Sequence, residues 1–468
     1  MSNEWAKKPF IYEINTRVWL TELSQKYGYH INLYNVPDEV LDDLASYKFD
    51  AIWLMGIWTR GAATWRSALN YLHEYRPVLP DLTQNDVAGS GYAIHGYYVE
   101  PLIGGRDGLA LLRARLRARD MKLILDFVPN HVATDHPWIR SNPDYFVNRS
   151  FKALRRYAGM FFMAEDHTGR KYAVAHGRDP YFPGWIDTAQ LNAFDAGLRR
   201  ATIDTMLDIA SQCDGIRCDM AMLMLNNVFN QTWGAFIDDP TPERDFWEEI
   251  IPAVRTVHPD FLFMAEVYWG LEYTLQQQGF DYTYDKTLYD RLFSEDVGRV
   301  RTHLEAMLDF QERNIRFIEN HDEHRAASAF GIPKSKVGAT LIATLPGAVL
   351  LHDGQFSGRK VKLPVHLARQ PQETPNLELE QFYRDLLAET RHPIYKRGEW
   401  KLLDTESWRL LAYSWQDGDD YRLIVVNLAG QRVQDIIKLR DRQGLLNDML
   451  RYDQQVYPEN ATSGGGST

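Results

Sequence analysis

Short apolar runs recur along the chain, and most are followed by a polar loop and then by a stretch with helical spacing of apolar residues. In 107–119, Leu109, Leu112 and Leu116 fall on one helical face and arginines on the other. Further helices are predicted at 36–47, 195–212 and 246–258. Eight runs are nearly continuous in apolar residues and predict strands: 10–20, 49–58, 121–131, the run from 215, 260–269, 281–286, 315–322 and 348–353.

Strands that alternate with helices and are apolar on both faces predict parallel β/α units, so the expected fold class is α/β with a closed (β/α)8 TIM barrel. The Gly/Pro/Asp-rich stretch after the third strand is too long for a connector and predicts an inserted B subdomain. After Pro393, alternating apolar and polar residues at 408–415 and 421–428 predict a small antiparallel β-sandwich. The predicted divisions are 1–131 and 192–393 for the barrel, 132–191 for the insertion, 394–459 for the C-terminal β-sandwich and 460–468 for a disordered Gly/Ser-rich tail.

Composition narrows the class of protein further. A net charge of −11 argues against nucleic acid or an anionic membrane as a partner, because both favour a basic surface. The N-terminus lacks an apolar signal-peptide core and no run approaches transmembrane length, which predicts a cytoplasmic protein. Aromatic residues make up 13% of the chain and mildly favour a carbohydrate site, since Trp and Tyr present flat apolar faces. The sequence leaves the oligomeric state open.

Three of the predicted strands end in an acid: Asp219 on the fourth, Glu266 on the fifth and Asp322 on the seventh. A barrel brings the carboxyl ends of its strands to one mouth, so these carboxylates are expected to meet. Arg217 lies two residues before Asp219, on the same side of the strand, and buried charges must be paired. His131 ends the third strand. His321 precedes Asp322.

Three carboxylates, two histidines and one arginine suit a reaction at an acetal carbon. One carboxylate attacks the carbon, a second donates a proton to the leaving oxygen, and a third stabilises positive charge on the ring. A metal hydrolase is the competing interpretation, because His131, Asp219, His321 and Asp322 could all be ligands, but the chain has no HxH or HExxH pair. A salt bridge or helix cap would explain one acid at a strand end, but not three.

Four segments resemble the signature regions of the α-amylase superfamily of retaining glycoside hydrolases and transglycosidases. In the order that the family has them, they are Asp-Phe-Val-Pro-Asn-His at 126–131, Gly-Ile-Arg-Cys-Asp at 215–219, Ala-Glu-Val at 265–267 and Glu-Asn-His-Asp at 319–322. The resemblance implies a nucleophile at Asp219, a general acid/base at Glu266 and a transition-state stabiliser at Asp322. Arg217 would hold the nucleophile ionised and oriented. The other implied substrate-binding residues are His131, His321, Tyr97, His95 and, beyond the eighth strand, Arg359.

The function that the resemblance implies is a retaining α-glycosidase acting on α-linked gluco-oligosaccharides by double displacement through a covalent glycosyl-enzyme. One alternative is a transglycosidase or glycoside phosphorylase of the same fold, with a sugar or phosphate acceptor. A remote alternative is a non-catalytic sugar-binding barrel, which would be expected to lose one or more of the acids. All three acids are present.

Two departures from the family pattern bear on specificity and on metal. Met222-Leu223 stand where many members have a Lys-His pair, which would remove hydrogen-bond donors from the acceptor subsite. The run 189–192 (Ala-Gln-Leu-Asn) lacks the acid of the family's Pro-Asp-Leu-Asn-like run. The resemblance implies that the family's structural calcium would use Asn130 and that acid, so the missing acid argues against a metal site. No cofactor is expected to be required.

Overall fold

The computed structural model describes residues 7–294, 296–434 and 437. Eight parallel strands close into a barrel in chain order, with the last strand beside the first. They are β1 (Phe10–Asn15), β2 (Ala51–Met55), β3 (Lys122–Phe127), β4 (Gly215–Cys218), β5 (Leu262–Ala265), β6 (Tyr282–Tyr284), β7 (Asn314–Arg316) and β8 (Ala348–His352). The predicted (β/α)8 barrel is therefore confirmed.

The barrel strands are buried almost throughout, as their apolar runs predict. Gly215 opens β4 between β3 and β5, where it pairs with Ile124 and Leu262. A Cβ atom at Gly215 would lie 3.0 Å from the Cβ of Leu262, tighter than ordinary contact, so a glycine suits this close approach. The strand can then run deep in the barrel and deliver Arg217 to its interior.

Helices surround the barrel and fill the loops. The predicted first strand is too long, because Asn15 ends β1 and its side chain accepts a hydrogen bond from the Val18 N–H (3.4 Å) as the cap of the next helix. Among the described residues no helix has both the length and the apolar character to cross a membrane. The helices are Thr16–Tyr27, Asp38–Ser46, Ala62–Leu69, Leu72–Tyr75, Gly105–Arg117, Trp138–Ser141, Ala153–Arg156, Ala196–Gln212, Asn226–Trp233, Phe246–Val257, Glu272–Gln277, Lys286–Phe293, Val297–Leu304, Leu308–Glu312, Ala326–Ala329, Gly331–Thr344, Leu377–Thr390 and Ile394–Arg397.

The stretch after β3 contains small sheets of its own. His131–Ala133 pairs antiparallel with Thr188–Gln190, and a three-stranded antiparallel sheet joins Asn148–Ser150, Lys171–Ala175 and Phe161–Glu165. A separate apolar cluster supports these strands. The predicted domain boundaries themselves stay a prediction.

The C-terminal region forms an antiparallel sheet of three strands, Glu399–Leu403, Leu410–Asp417 and Asp420–Asn427. It packs on the barrel through Trp415, whose indole N–H donates to the Thr344 carbonyl (2.7 Å). The predicted C-terminal β domain is confirmed to this extent. The rest of the predicted sandwich, at 438–459, and the predicted tail at 460–468 lie outside the described residues.

Candidate active site

Arg217 lies at the centre of the site and is fully buried. Its two terminal nitrogens bind different carboxylates, with Nη1 2.7 Å from Asp219 Oδ1 and Nη2 2.7 Å from Glu266 Oε2. Its guanidinium also lies 5.3 Å from the ring centroids of both Trp53 and Tyr92. The ion pair between Arg217 and Asp219, predicted from their spacing, is thus confirmed, and it extends to Glu266.

Glu266 lies just after β5 and is almost fully buried. Besides Arg217, two donors hold it: the Tyr268 hydroxyl donates to Oε1 (2.6 Å) and the Met220 backbone N–H donates to Oε2 (2.8 Å). Burial raises the pKa of Glu266 to about 7, against the opposing charge of Arg217. A carboxyl group with this pKa still carries a proton for part of the time near neutral pH.

Asp219 directly follows β4, and a second buried acid, Asp126 on β3, lies close to it. Burial raises the pKa of Asp219, while the charge of Arg217 and its hydrogen bond oppose the rise. Asp126 is farther from the guanidinium, with Oδ1 3.7 Å from Arg217 Nη1, and burial raises its pKa to about 6. Its carboxylate accepts hydrogen bonds from the Trp53 indole (3.2 Å) and the Gly56 N–H (3.1 Å).

Asp322 belongs to a chain of charged groups that runs into the barrel. His321 Nε2 lies 2.9 Å from Asp322 Oδ2, and His321 Nδ1 bonds the carboxylate of Glu13, which is fully buried on β1. Burial alone would lower the pKa of His321, but Asp322 and Glu13 raise it well above its ordinary value. Desolvation would raise the pKa of Asp322, yet the His321 imidazolium holds it well below its usual range. Asp322 is therefore ionised near neutral pH, whereas Glu266 is partly protonated there.

Tyr92 joins the two halves of the site. Its hydroxyl lies 2.7 Å from His321 Nε2 and its ring stacks on the imidazole, with centroids 5.4 Å apart. The same ring also lies 5.3 Å from the Arg217 guanidinium. Through these contacts, Asp219, Glu266 and Asp322 belong to one connected set, as their positions at strand ends predict.

Of the other predicted substrate-binding residues, His131 follows β3 at the start of the insertion, and His95 and Tyr97 lie on the short strand Ile94–Val99 after β2. His131 is buried 5.1 Å from the Trp185 ring, and burial lowers its pKa to about 4, so it is neutral. Tyr97 is half-buried, and its hydroxyl donates to the Val128 carbonyl (3.1 Å) and accepts from the Val128 N–H (2.9 Å). His95 is half-buried with Nδ1 3.4 Å from Asp135 Oδ1.

Two residues singled out at the rim of the site lie away from the acids. The guanidinium of Arg359 binds Glu22 (2.8 Å) and the Pro371 carbonyl (3.3 Å), and its role in substrate binding stays a prediction. The short helical turn at Ala221–Met224 directs Met222 and Leu223 into the core, where they are 0% and 3% exposed, and their effect on the acceptor likewise stays a prediction.

The family's structural calcium does not fit these residues. The Gln190 side-chain amide donates to the Asn130 carbonyl (2.9 Å), to Asn130 Oδ1 (2.8 Å) and to the Leu191 carbonyl (3.1 Å). Calcium needs such oxygens as its own ligands, and amide hydrogens pointing at them would repel it. Within the described part of the chain, no group of three or more His, Cys, Asp or Glu side chains could hold a metal ion.

Sequence reasoning missed several residues of the site. Glu13 could have been found, since an acid inside the buried apolar run of β1 is the same signal that singled out Arg217. The contacts of Tyr92 and Tyr268 depend on how their loops fold, and no local sequence pattern predicts them. Lys362 places a cation near Asp322, and its Nζ donates to the Asp322 backbone carbonyl.

Acids converging on one arginine at the carboxyl ends of a closed parallel barrel define the site of a glycoside-cleaving barrel enzyme. The family model for the alpha amylase catalytic domain matches residues 38–385, and the chain belongs to this family of glycoside hydrolases.

Individual relatives are distant. The chain is 23% identical over 392 residues to Alpha-amylase 3 of Dictyoglomus thermophilum, covering 78% of this chain and 67% of the relative. It is 25% identical over 449 residues to Alpha-amylase MalA of Haloarcula japonica, covering 91% of this chain but only 56% of the relative. A solved alpha-amylase structure from Lactobacillus plantarum superimposes with a TM-score of 0.66 at 21% identity, covering 92% of this chain and 90% of that chain. The structural likeness supports the fold.

Proposed function

We propose that the chain is a retaining α-glycosidase that acts on α-linked gluco-oligosaccharides through a covalent glycosyl-enzyme. The observation that carries the proposal is the guanidinium of Arg217, which binds Asp219 and Glu266 through separate nitrogens at 2.7 Å each. Carboxylates that share one guanidinium are held near each other, as a nucleophile and a proton donor at one glycosidic bond must be. The retaining course of the reaction is what the family resemblance implies.

In the first step the carboxylate of Asp219 attacks the anomeric carbon, and the bond from that carbon to the leaving oxygen breaks. Glu266 gives its proton to the leaving oxygen, a role that its pKa of about 7 supports. In the second step Glu266, now ionised, takes a proton from water. The water oxygen attacks the anomeric carbon and the ester to Asp219 breaks, which restores both carboxyl groups.

The remaining groups stabilise the charge that develops between these states. Asp322, kept ionised by His321, offers negative charge to the sugar ring as it becomes positive. Arg217 stabilises the negative charge that returns to the Asp219 carboxylate when the ester bond breaks at the end of each cycle. His131 is neutral and is suited to hydrogen-bond sugar hydroxyls, as the family resemblance implies. The names of the two curated relatives, both α-amylases, support an α-glucan substrate.

Product stereochemistry tests the proposal directly. Proton NMR of maltotriose digests should show the α-anomer as the first product, whereas initial β-anomer would overturn the retaining mechanism. Asp219→Asn should lower kcat by at least about 10⁴-fold without loss of fold. Asp238→Asn is the matched control, because its side chain is 95% exposed and contacts Arg149 rather than the site. Appreciable turnover by Asp219→Asn would refute the nucleophile assignment.

A further inference from the structure

Asp322 stands on a segment that has no regular secondary structure. The segment lies between the end of β7 at Arg316 and the start of the helix Ala326–Ala329. The side chain of Asp322 is 45% exposed, whereas residues 317–321 before it are buried. A charge stabilises a reacting centre most effectively when its position is fixed before the reaction. Contacts other than those of a helix or strand must therefore fix this carboxylate.

Glu319 closes the segment into a loop, here called the 319–326 loop. Its carboxylate is 1% exposed and binds the far end of the loop through both oxygens. Oε1 lies 2.6 Å from Arg325 Nη1, and Oε2 accepts the Ala326 N–H at 2.6 Å. Burial would raise the pKa of Glu319, yet the charge of Arg325 holds it below its ordinary value. The loop is thus closed by an ionised carboxylate.

Arg325 fastens the closed loop to the barrel. The same Nη1 lies 2.7 Å from His352 Nδ1 and donates to the Asp353 carbonyl at 2.8 Å. His352 is the last residue of β8, which pairs with β7. Arg325 is 4% exposed, so these contacts are shielded from water. The 319–326 loop is therefore attached to a neighbouring strand at the point where it closes.

Asn320 shapes the inside of the loop. Its Oδ1 accepts the backbone N–H groups of Asp322 and Glu323, each at 2.9 Å. Asn320 directly follows Glu319 in the chain, so a displacement of Glu319 also moves this turn. The backbone that carries the Asp322 side chain is thus linked to the ion pair between Glu319 and Arg325.

We propose that Glu319 and Arg325 are positioning residues, which hold the Asp322 carboxylate where positive charge develops on the sugar ring. This proposal rests on the proposed function. Both side chains are almost fully buried, so they act on the sugar through Asp322 rather than directly. A carboxylate on a mobile loop would have to reorient as the charge develops, and a loop closed by a buried ion pair avoids that cost.

The alternative is that the ion pair only stabilises the fold. Removing one partner would leave an unpaired charge in the core, and such a variant can unfold for that reason alone. The test therefore removes both charges together, in the double variant Glu319→Gln/Arg325→Met. Replacement of a buried ion pair by uncharged groups of similar size is often neutral for stability, so this variant is expected to fold. Arg325→Lys is a second variant, which keeps the charge but loses the planar guanidinium.

The chain offers a matched control in another buried ion pair. Arg199 is also 4% exposed, and its Nη1 lies 2.7 Å from Glu249 Oε1. This pair joins the helices Ala196–Gln212 and Phe246–Val257. The double variant Arg199→Met/Glu249→Gln makes the same chemical change away from the 319–326 loop.

Kinetics on 4-nitrophenyl α-glucoside separate positioning from folding. In Glu319→Gln/Arg325→Met, kcat should fall about ten- to a hundredfold, since a displacement of about 1 Å can cost about 10²-fold. KM should stay within about twofold, because the lost interaction is made in the transition state. Arg325→Lys should recover part of kcat, and the control should match the wild type. A double variant that loses Tm but keeps kcat would overturn the proposal, as would an effect on KM alone.

Binding of a charged sugar mimic keeps the test independent of turnover. The ring nitrogen of 1-deoxynojirimycin is protonated near neutral pH, so this ligand carries a full positive charge on a glucose-like ring. In an Asp219→Asn background, the added double substitution should raise its Kd about fourfold. This is the change expected when unit charges move from about 4 to about 5 Å apart at an effective dielectric of about 20. The Kd for uncharged maltotriose should stay within about twofold.

The comparison of the two ligands separates the possible failures. If the wild type cleaved no α-glucoside, the proposed function would fail, but the selective loss of the charged ligand would still decide the positioning role. Equal changes in both Kd values, or no change in either, would refute it. If the double variant did not fold, the same two measurements on Arg325→Lys would decide, with the same direction expected and a smaller size.

Discussion

Replacing Glu13 with glutamine tests whether a buried carboxylate keeps His321 charged. The Glu13 carboxylate is fully buried and bonds His321 Nδ1, while Nε2 of the same ring lies 2.9 Å from Asp322. Glutamine keeps the shape and a hydrogen-bonding oxygen and removes only the charge. Unit charges about 4 Å apart at an effective dielectric of about 20 attract by about 4 kcal/mol. At 1.36 kcal/mol per factor of ten, His321 would bind its proton up to about a thousandfold more weakly.

The expected result is a change in pH dependence. The pKa of His321 is raised by Asp322 and Glu13 against the effect of burial, so the stability that it contributes is present below its unfolded pKa of about 6.5 and is lost as pH rises through the folded pKa. In Glu13→Gln the imidazolium loses its proton at lower pH, and the positive charge that it places beside Asp322 and the Tyr92 hydroxyl is lost from the site at that pH. The basic limb of kcat/KM should therefore move to lower pH.

A matched control is available in the helix that follows β1. Glu22→Gln makes the same chemical change at a carboxylate that pairs with Arg359 at 2.8 Å. Its pH profile should follow the wild type. Profiles of kcat/KM for an aryl α-glucoside from pH 4 to 10, with thermal unfolding at each pH, would check both variants. If Glu13→Gln folds normally and its basic limb does not move, Glu13 does not keep His321 charged.

Other predictions concern the general acid and the metal. Glu266→Gln should lower kcat on maltotriose by about 10²–10⁴-fold. In the wild type the raised pKa of Glu266 costs stability as pH rises from 4.5 to about 7, and glutamine does not carry this cost. Urea unfolding should therefore find the variant more stable than the wild type by up to about 3 kcal/mol at pH 8.5, and equal to it at pH 4. A chelator should leave the wild-type Tm unchanged, whereas Gln190→Glu, which places a carboxylate beside Asn130, should acquire a Tm that rises with added calcium. A wild-type Tm that fell with chelator would contradict the assignment of Gln190.

The strand ends show how far the sequence could predict the site. Continuous apolar runs predicted the barrel correctly. A polar residue after such a run, however, does not show at which residue the hydrogen-bonded strand ends. The fifth and seventh strands were predicted to contain Glu266 and Asp322, yet β5 ends at Ala265 and β7 at Arg316, so both acids stand on loops. The acids could still be identified from the sequence, because the loops that follow parallel barrel strands all lie at the same end of the barrel.

The rim of the site depended on backbone paths that no pattern encodes. Arg359 is turned toward Glu22 by the loop after β8, where Gly354 has φ +84° and a Cβ atom would lie 2.4 Å from the Arg359 Cδ. Lys362, three residues on, reaches Asp322 instead. The burial of Met222 could not be predicted for a similar reason, because a single helical turn decides whether a side chain faces the cleft or the core.

Competition for cations decides which acid of the site keeps a proton. Five carboxyl groups meet the two buried cations Arg217 and His321 here, and Lys362 adds a third cation beside Asp322. The carboxyl groups are those of Glu13, Asp126, Asp219, Glu266 and Asp322. His321 is occupied by two of the acids, so the other three share one guanidinium in a dry environment that disfavours excess negative charge.

Asp219 and Glu266 bind that guanidinium at equal distances of 2.7 Å, so the distance to the cation does not distinguish them. Burial raises the pKa of both groups, and the pKa of Glu266 rises from 4.5 to about 7. Glu266 therefore keeps a proton for part of the time near neutral pH even though it shares a buried arginine, and a proton held in this way is what the proposed general acid has to donate.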